Sequence, residues 1–124
     1  AAVRGSGIAG RITVQSFDHR VLRAVHARDP SIALAALVGK EGAGDPVAVA
    51  RAADAGTLAP HHEGILPGDV AALHAAGLRV TCWTANDGAA WDRLLEMGVD
   101  GIITDDPAGL VAHLRARGLR PAGE

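Results

Sequence analysis

The segment GVDGIITDDP, residues 98–107, gives the clearest indication of the fold. Its short apolar run stops abruptly at Thr104 and two acidic residues, and Pro107 follows at once with a helical pattern behind it. This order predicts a buried parallel strand over Ile102–Thr104, whose carboxyl end carries polar groups into a strand-to-helix loop. Functional groups of α/β folds gather at that end of the strands, so we expect any site at this edge of the sheet.

The same strand-and-helix unit recurs along the whole chain with short connections. The predicted strands are Ile12–Phe17, Ile32–Val38, Thr57–Ala59, Leu78–Thr84 and Ile102–Thr104. Helices are predicted to begin at capping residues or prolines, namely Asp18, Asp45 with Pro46, Pro67, Asn86 or Asp87, and Pro107. The repetition predicts an α/β fold with a parallel sheet and right-handed crossovers.

The composition fits one globular domain of modest size. The 124 residues are 48% hydrophobic and 21% charged, which excludes a disordered chain. A net charge of −2 gives no electrostatic basis for binding nucleic acid or an anionic membrane surface. Cys82 is the single cysteine, so no internal disulfide can form. No apolar run approaches the roughly 20 residues of a membrane span, so we expect no stable membrane insertion.

Strand alternation places two of the three aromatic residues, Phe17 and Trp83, on one face of the sheet. If the aliphatic faces of their strands pack on the helices, both rings point inward at the carboxyl ends. They would then be walls of a pocket, or simply caps of the hydrophobic core, since aromatic residues serve packing first. Trp91 lies on the apolar stripe of a helix and is predicted to be core.

Two short motifs invite functional interpretations that their context does not support. Gly5–Gly10 matches GxGxxG, but that motif needs a preceding strand and a following helix, and here a strand follows. A dinucleotide site is therefore not predicted. Adjacent side chains on an extended loop diverge, so His61, His62 and Glu63 are predicted to form a solvated loop rather than a metal site.

The remaining histidines and acids are weaker candidates. His19 begins a helix near a strand's carboxyl end and is the one helical histidine that could reach a pocket, although a surface position is preferred. Asp106 is predicted to cap a helix, and the role of Asp105 stays open. The other helical histidines are predicted to face solvent, namely His26, His74 and His113.

Three blocks of sequence, taken together, resemble the glycerophosphodiester phosphodiesterase family. They are QSFD at residues 15–18, the segment from His74 to Asn86 that contains WTAN, and residues 98–107. They occur in the family's order and at similar spacing, and the resemblance covers about residues 11 to 117. It implies the C-terminal five βα units of a (β/α)8 TIM-type barrel, with parallel strands and outer helices. It also implies hydrolysis of a glycerophosphodiester, a small molecule, to glycerol 3-phosphate and an alcohol.

The resemblance implies substrate-binding residues but no catalytic ones. Phe17 and Trp83 match the family's pocket wall, with Ser16 in support, and the family's tryptophan lies against the glycerol moiety. The family's His-Arg-Gly motif, its second catalytic histidine and the acidic ligands of a divalent cation, Ca or Mg, lie on earlier strands without a counterpart here. We therefore expect no catalytic residue and no metal ligand in this chain, and no activity from it alone.

The resemblance also sets the expected domain limits. Residues 11–118 would form the partial barrel, 1–10 the end of a preceding unit or a flexible lead-in, and 119–124 a tail. The alternative is a non-catalytic half-barrel that binds a small phosphorylated ligand or assembles with another chain. Open edges of a five-stranded sheet favour self-association in either case.

Overall fold

Strands and helices alternate strictly through the described part of the chain. The computed structural model describes residues 12–119, so Gly5–Gly10, the predicted lead-in and nearly all of the predicted tail lie outside it. The strands are β1 (Thr13–Ser16), β2 (Ala33–Val38), β3 (Thr57–Pro60), β4 (Arg79–Cys82) and β5 (Gly101–Ile102). The helices are α1 (His19–Arg28), α2 (Pro46–Ala52), α3 (Pro67–Ala75), α4 (Gly88–Met97) and α5 (Pro107–Ala116).

The strands form one parallel sheet in the order β1-β2-β3-β4-β5. Each strand therefore lies beside its neighbour in the chain, as expected for successive βα units, and the predicted α/β class is confirmed. The strand limits differ from the predicted ones. β5 is Gly101–Ile102 rather than Ile102–Thr104. Ile103 still forms backbone hydrogen bonds with Cys82 and Ala85, whereas Thr104 and Asp105 bind the side chain of Asn86.

Helix starts follow the local signals in the sequence. Carboxylates of four aspartates accept backbone N–H groups in the first turn of α1, α2, α4 and α5, and they are Asp18, Asp45, Asp87 and Asp106. Asp87 rather than Asn86 caps α4, and Asp106 caps α5 as predicted. These caps satisfy backbone donors that the helix itself leaves free.

The core lies between the sheet and its helices and is built mostly from small aliphatic side chains. Leu58 and Val80, paired in register on neighbouring strands, are fully buried against Leu73 and Leu94 of the helices. Trp91 is only 5% exposed, which confirms its predicted core position. Burial also raises the pKa of Cys82 to about 12, so its thiol stays protonated. None of the described helices is long and apolar enough to cross a bilayer.

His113 is not on the solvent face that the sequence predicted. Its side chain is 15% exposed, and its Nε2 lies 2.8 Å from Asp92 Oδ1. Its ring also meets that of Trp91 edge-on, with centroids 5.2 Å apart. The prediction was wrong because packing of α5 against α4 covers a position that looks polar within its own helix.

Asp100 fastens the loop before β5 to two other elements. Its Oδ2 lies 2.8 Å from both His74 Nε2 and the backbone N of Val80. His74 is exposed, as predicted, and this hydrogen bond holds its side chain. Burial raises the pKa of Asp100, but the hydrogen bonds from His74 and Val80 outweigh it and hold the pKa below its ordinary 3.8. The carboxylate thus stabilises the fold in its ionised form.

Replacing Asp100 with alanine should lower the free energy of unfolding by about 1–2 kcal/mol, because it leaves the buried N–H of Val80 without a partner. Urea denaturation near pH 7 measures this loss. The depressed carboxyl pKa makes the stabilisation fully present above about pH 4 and lost as the pH falls through that pKa. Glu96→Ala, at an exposed position of α4, is the control. A loss no larger than in this control would contradict the assigned role.

Candidate functional site

Two aromatic rings meet at the carboxyl edge of the sheet. The rings of Phe17 and Trp83 contact each other edge to face, with centroids 5.6 Å apart and planes at 88°. They follow β1 and β4, which are separated by two strands, so both rings lean across the concave face of a curved sheet. Phe17 is 60% exposed. The predicted common face is present, and the role of the two residues as a substrate wall stays a prediction.

Trp83 is held firmly in this position. Its backbone N donates to the Pro60 carbonyl at 3.2 Å, and its carbonyl accepts from His62 N at 2.7 Å. Its indole Nε1 donates to the carbonyl of Ala59 at 2.8 Å. Backbone and ring are therefore both tied to β3 and the segment that follows it.

Ser16 and His19 shape the turn between β1 and α1. The Ser16 hydroxyl accepts the Asp18 N–H at 3.0 Å, a contact that supports the turn carrying Phe17. His19 was predicted at the surface, but it is partly buried, with Nε2 3.0 Å from the carbonyl oxygen of Leu37. That prediction was wrong because α1 packs on β2 and brings its first turn over the carboxyl end of that strand.

His61 is the site residue that the sequence analysis missed. A parallel β-bridge pairs it with Trp83 just beyond the ends of β3 and β4. Paired residues present their side chains on the same face, and the His61 and Trp83 rings meet edge to face with centroids 4.9 Å apart. Alternation from Thr57 through Ala59 would have reached His61, had the predicted strand not ended at Ala59.

The rings of His61 and His62 stack instead of diverging, with centroids 4.8 Å apart and planes at 23°. The predicted extended loop is a tight turn, closed by the Gly64 N–H on the His61 carbonyl at 2.9 Å, and this turn aligns the neighbouring side chains. Arg93 Nη2 lies 2.6 Å from the His62 carbonyl oxygen and 3.2 Å from its Nδ1. Burial lowers the pKa of His62, and the charges of His61 and Arg93 lower it further.

His61, His62 and Glu63 form a group whose ligand atoms lie within 4.8 Å of one another. Their hydrogen bonds do not suit a calcium or magnesium ion. Nδ1 of His61 accepts the Glu63 N–H and Nδ1 of His62 accepts from Arg93, while the Glu63 carboxylate pairs with Lys40 at 2.8 Å. Ca²⁺ and Mg²⁺ prefer several oxygen ligands, and this group offers one carboxylate. The expectation that a metal is held outside this chain stays a prediction.

The acids that end β5 shape the last loop. Asn86 Oδ1 accepts from Thr104 Oγ1 at 3.0 Å and from Asp105 N at 2.8 Å, and its Nδ2 donates to Asp105 Oδ2 at 3.0 Å. Asp106 is used as the helix cap. The role left open for Asp105 is thereby a structural one, in a loop fastened to the segment after Trp83.

Comparisons with known proteins all identify the same family. The sequence profile of the glycerophosphoryl diester phosphodiesterase family matches residues 3–109. A glycerophosphodiester phosphodiesterase of Caldanaerobacter subterraneus is 31% identical over 117 residues, which are 94% of this chain and 48% of that relative. The chain thus spans about half the length of this relative.

Solved structures show the same partial coverage. A crystal structure from Silicibacter pomeroyi, assigned to glycerophosphoryl diester phosphodiesterase, superposes with a TM-score of 0.87 at 26% identity over 95% of this chain and 42% of its own. An Oleispira antarctica phosphodiesterase, solved in complex with the product sn-glycerol-3-phosphate, gives a TM-score of 0.76 at 23% identity over 83% and 41%. The fold is therefore that of part of a TIM-type barrel.

The His62 imidazole should titrate below pH 6.5, since burial and nearby positive charge disfavour its protonated form. Arg93→Met should move the pKa of His62 upward, and Arg93→Lys, which keeps the charge, should move it less. NMR of the imidazole protons as a function of pH measures this. Arg51→Met removes an equal charge from an exposed position of α2 and should leave His62 unchanged. An unaltered His62 titration in Arg93→Met would exclude the contact.

Proposed function

The chain belongs to the glycerophosphoryl diester phosphodiesterase family, and on that premise we propose that it supplies the C-terminal five βα units of a glycerophosphodiester hydrolase. In this reaction water adds to phosphorus, the bond from phosphorus to the alcohol oxygen breaks, and glycerol 3-phosphate and the alcohol leave. The observation that carries the proposal is the contact between Phe17 and Trp83 at the carboxyl edge of the sheet. Active sites of TIM-type barrels lie at this edge.

Phe17 and Trp83 would form the wall of the substrate pocket, with Ser16 supporting the turn that positions Phe17. A phenyl ring that is 60% exposed gains little from packing, so its place in a wall supports a role in covering an apolar ligand surface. The carbon face of a glycerol unit offers such a surface. The glycerol 3-phosphate held by the Oleispira antarctica protein is the same chemical unit.

The catalytic groups would lie outside this chain. In the complete hydrolase a divalent cation, Ca or Mg, would offset the charge of the phosphodiester. The partial coverage of the relatives supports a division of the site between this chain and a second segment that carries the chemistry.

Phe17→Ala should lower kcat/KM for glycerophosphocholine roughly tenfold in the complete polypeptide that contains this sequence, because an aromatic contact with substrate is lost. Its exposed position predicts a change of no more than about 0.5 kcal/mol in stability. Trp83→Ala should lower kcat/KM at least as much. Steady-state hydrolysis and thermal unfolding measure the two effects.

Val21→Ala is the matched control, since Val21 is an apolar residue that is 45% exposed and belongs to α1 rather than to the aromatic pair. It should leave hydrolysis unchanged. Unaltered kinetics in both Phe17→Ala and Trp83→Ala would make the two rings packing residues. The isolated 124-residue chain should show no hydrolysis, and turnover from it would contradict the proposed division of the site.

Open sheet edges favour a second property, assembly with another copy of the chain. Within the described strands, β1 pairs only with β2 and β5 only with β4. Their outer edges leave backbone N–H and C=O groups available for a further strand, and parallel sheets are normally covered on both faces. We therefore expect self-association through these edges when the chain is isolated.

The isolated chain should sediment as species larger than its 12.6 kDa monomer at micromolar concentration. Gln15→Lys places a charge on β1, the exposed edge strand, and should shift the distribution toward monomer. Ala71→Lys adds the same charge at an exposed position of α3 and should not. Analytical ultracentrifugation distinguishes these results, and a monomeric wild-type chain with a cooperative thermal transition would contradict the expectation.

A further inference from the structure

We propose that His61 recognises the glycerol part of the substrate, by donating a hydrogen bond from its Nε2–H to a glycerol hydroxyl oxygen. This inference rests on the proposed function and assigns a specificity-determining residue to the same site. It depends on three observations about His61: the face of the sheet that it occupies, the nitrogen that carries its proton, and the charges beside it.

The sheet register places His61 in the wall. Its bridge to Trp83 puts both side chains on the concave face, and the edge-to-face contact of 4.9 Å joins its ring to the pair formed by Trp83 and Phe17. The three rings are thus continuous along the carboxyl edge of β1, β3 and β4. Whatever lies against Trp83 is within reach of the His61 imidazole.

The hydrogen bonds of His61 determine which nitrogen is a donor. Its Nδ1 accepts the backbone N–H of Glu63 at 3.1 Å, so the neutral ring carries its proton on Nε2. No other described residue accepts a hydrogen bond from that Nε2. A partly buried donor at the rim of an aromatic wall is therefore left for a ligand acceptor.

The neighbouring charges favour a hydroxyl over the phosphate as the acceptor. The nearest acid is Glu63, whose carboxylate belongs to the same compact group as the imidazole and would repel an anionic phosphate. Among the described cations near this group, Lys40 pairs with Glu63, and Arg93 already donates to the His62 carbonyl and Nδ1. An uncharged donor beside a carboxylate suits an uncharged hydroxyl oxygen.

The imidazole is also held in place before any ligand arrives. The His61 backbone N donates to the Val38 carbonyl at 2.9 Å, and its ring stacks on His62, which Arg93 fastens to α4. A donor fixed in this way loses little conformational entropy on binding. A site built to bind a hydroxyl discriminates strongly against ligands that lack one.

The test compares two ligands that differ in the glycerol unit, sn-glycerol 3-phosphate and inorganic phosphate, by calorimetry on the complete polypeptide. His61→Phe keeps an aromatic ring against Trp83 and removes the donor. It should weaken glycerol 3-phosphate binding roughly 3- to 10-fold and leave phosphate binding unchanged, since one neutral hydrogen bond is lost. His61→Gln places an amide N–H near the position of Nε2 and should restore most of the lost affinity.

His26→Phe, a histidine of α1 at the opposite end of the sheet, is the matched control and should alter neither affinity. The inference is overturned if His61→Phe weakens both ligands equally or neither, or if His61→Gln binds no better than His61→Phe. Its failure is distinct from failure of the proposed function. If the proposed function is wrong, the wild-type polypeptide will bind glycerol 3-phosphate but will not hydrolyse glycerophosphocholine.

Discussion

The arrangement of the site depends on backbone pairing that continues past the ends of β3 and β4. Trp83 donates to Pro60 and accepts from His62, so the two strands stay in register for one more residue on each side. This one additional pair sets the face of the sheet on which Trp83 and His61 lie. It therefore also positions the Trp83 ring that Phe17 contacts. A shift of one residue in this pairing would place His61 and Trp83 on opposite faces of the sheet and break the contact between their rings.

Two central strands, β2 and β3, lie between the strands that precede Phe17 and Trp83. Leu37 of β2 and Ala59 of β3 are paired in register on the face between the two rings, where Leu37 is half-buried and Ala59 is fully buried. The wall is therefore a property of four strands rather than of the two that carry Phe17 and Trp83, and its position at the carboxyl edge agrees with the placement of sites in barrels of this kind.

The sequence predicted those features that depend on neighbouring residues. The caps at Asp18 and Asp106 could be recognised because each binds N–H groups two or three residues away, and the common face of Phe17 and Trp83 follows from simple alternation. Contacts between distant segments were not accessible in this way. His113 contacts Asp92 of the neighbouring helix, which the residues around His113 in the sequence do not indicate. The Asn86 side chain likewise binds Thr104 and Asp105, which are far from it in the sequence.

Each tryptophan of this chain lies edge-on to a histidine, Trp83 to His61 at the rim and Trp91 to His113 within the helix layer. The sequence contains no tyrosine, so these two indoles account for nearly all of its near-ultraviolet absorption and emission. One indole is partly open to solvent and the other is 5% exposed. The chain therefore carries two intrinsic optical reporters in different surroundings. Trp83 can report on ligand binding at the aromatic wall, and Trp91 can report on the folding of the core.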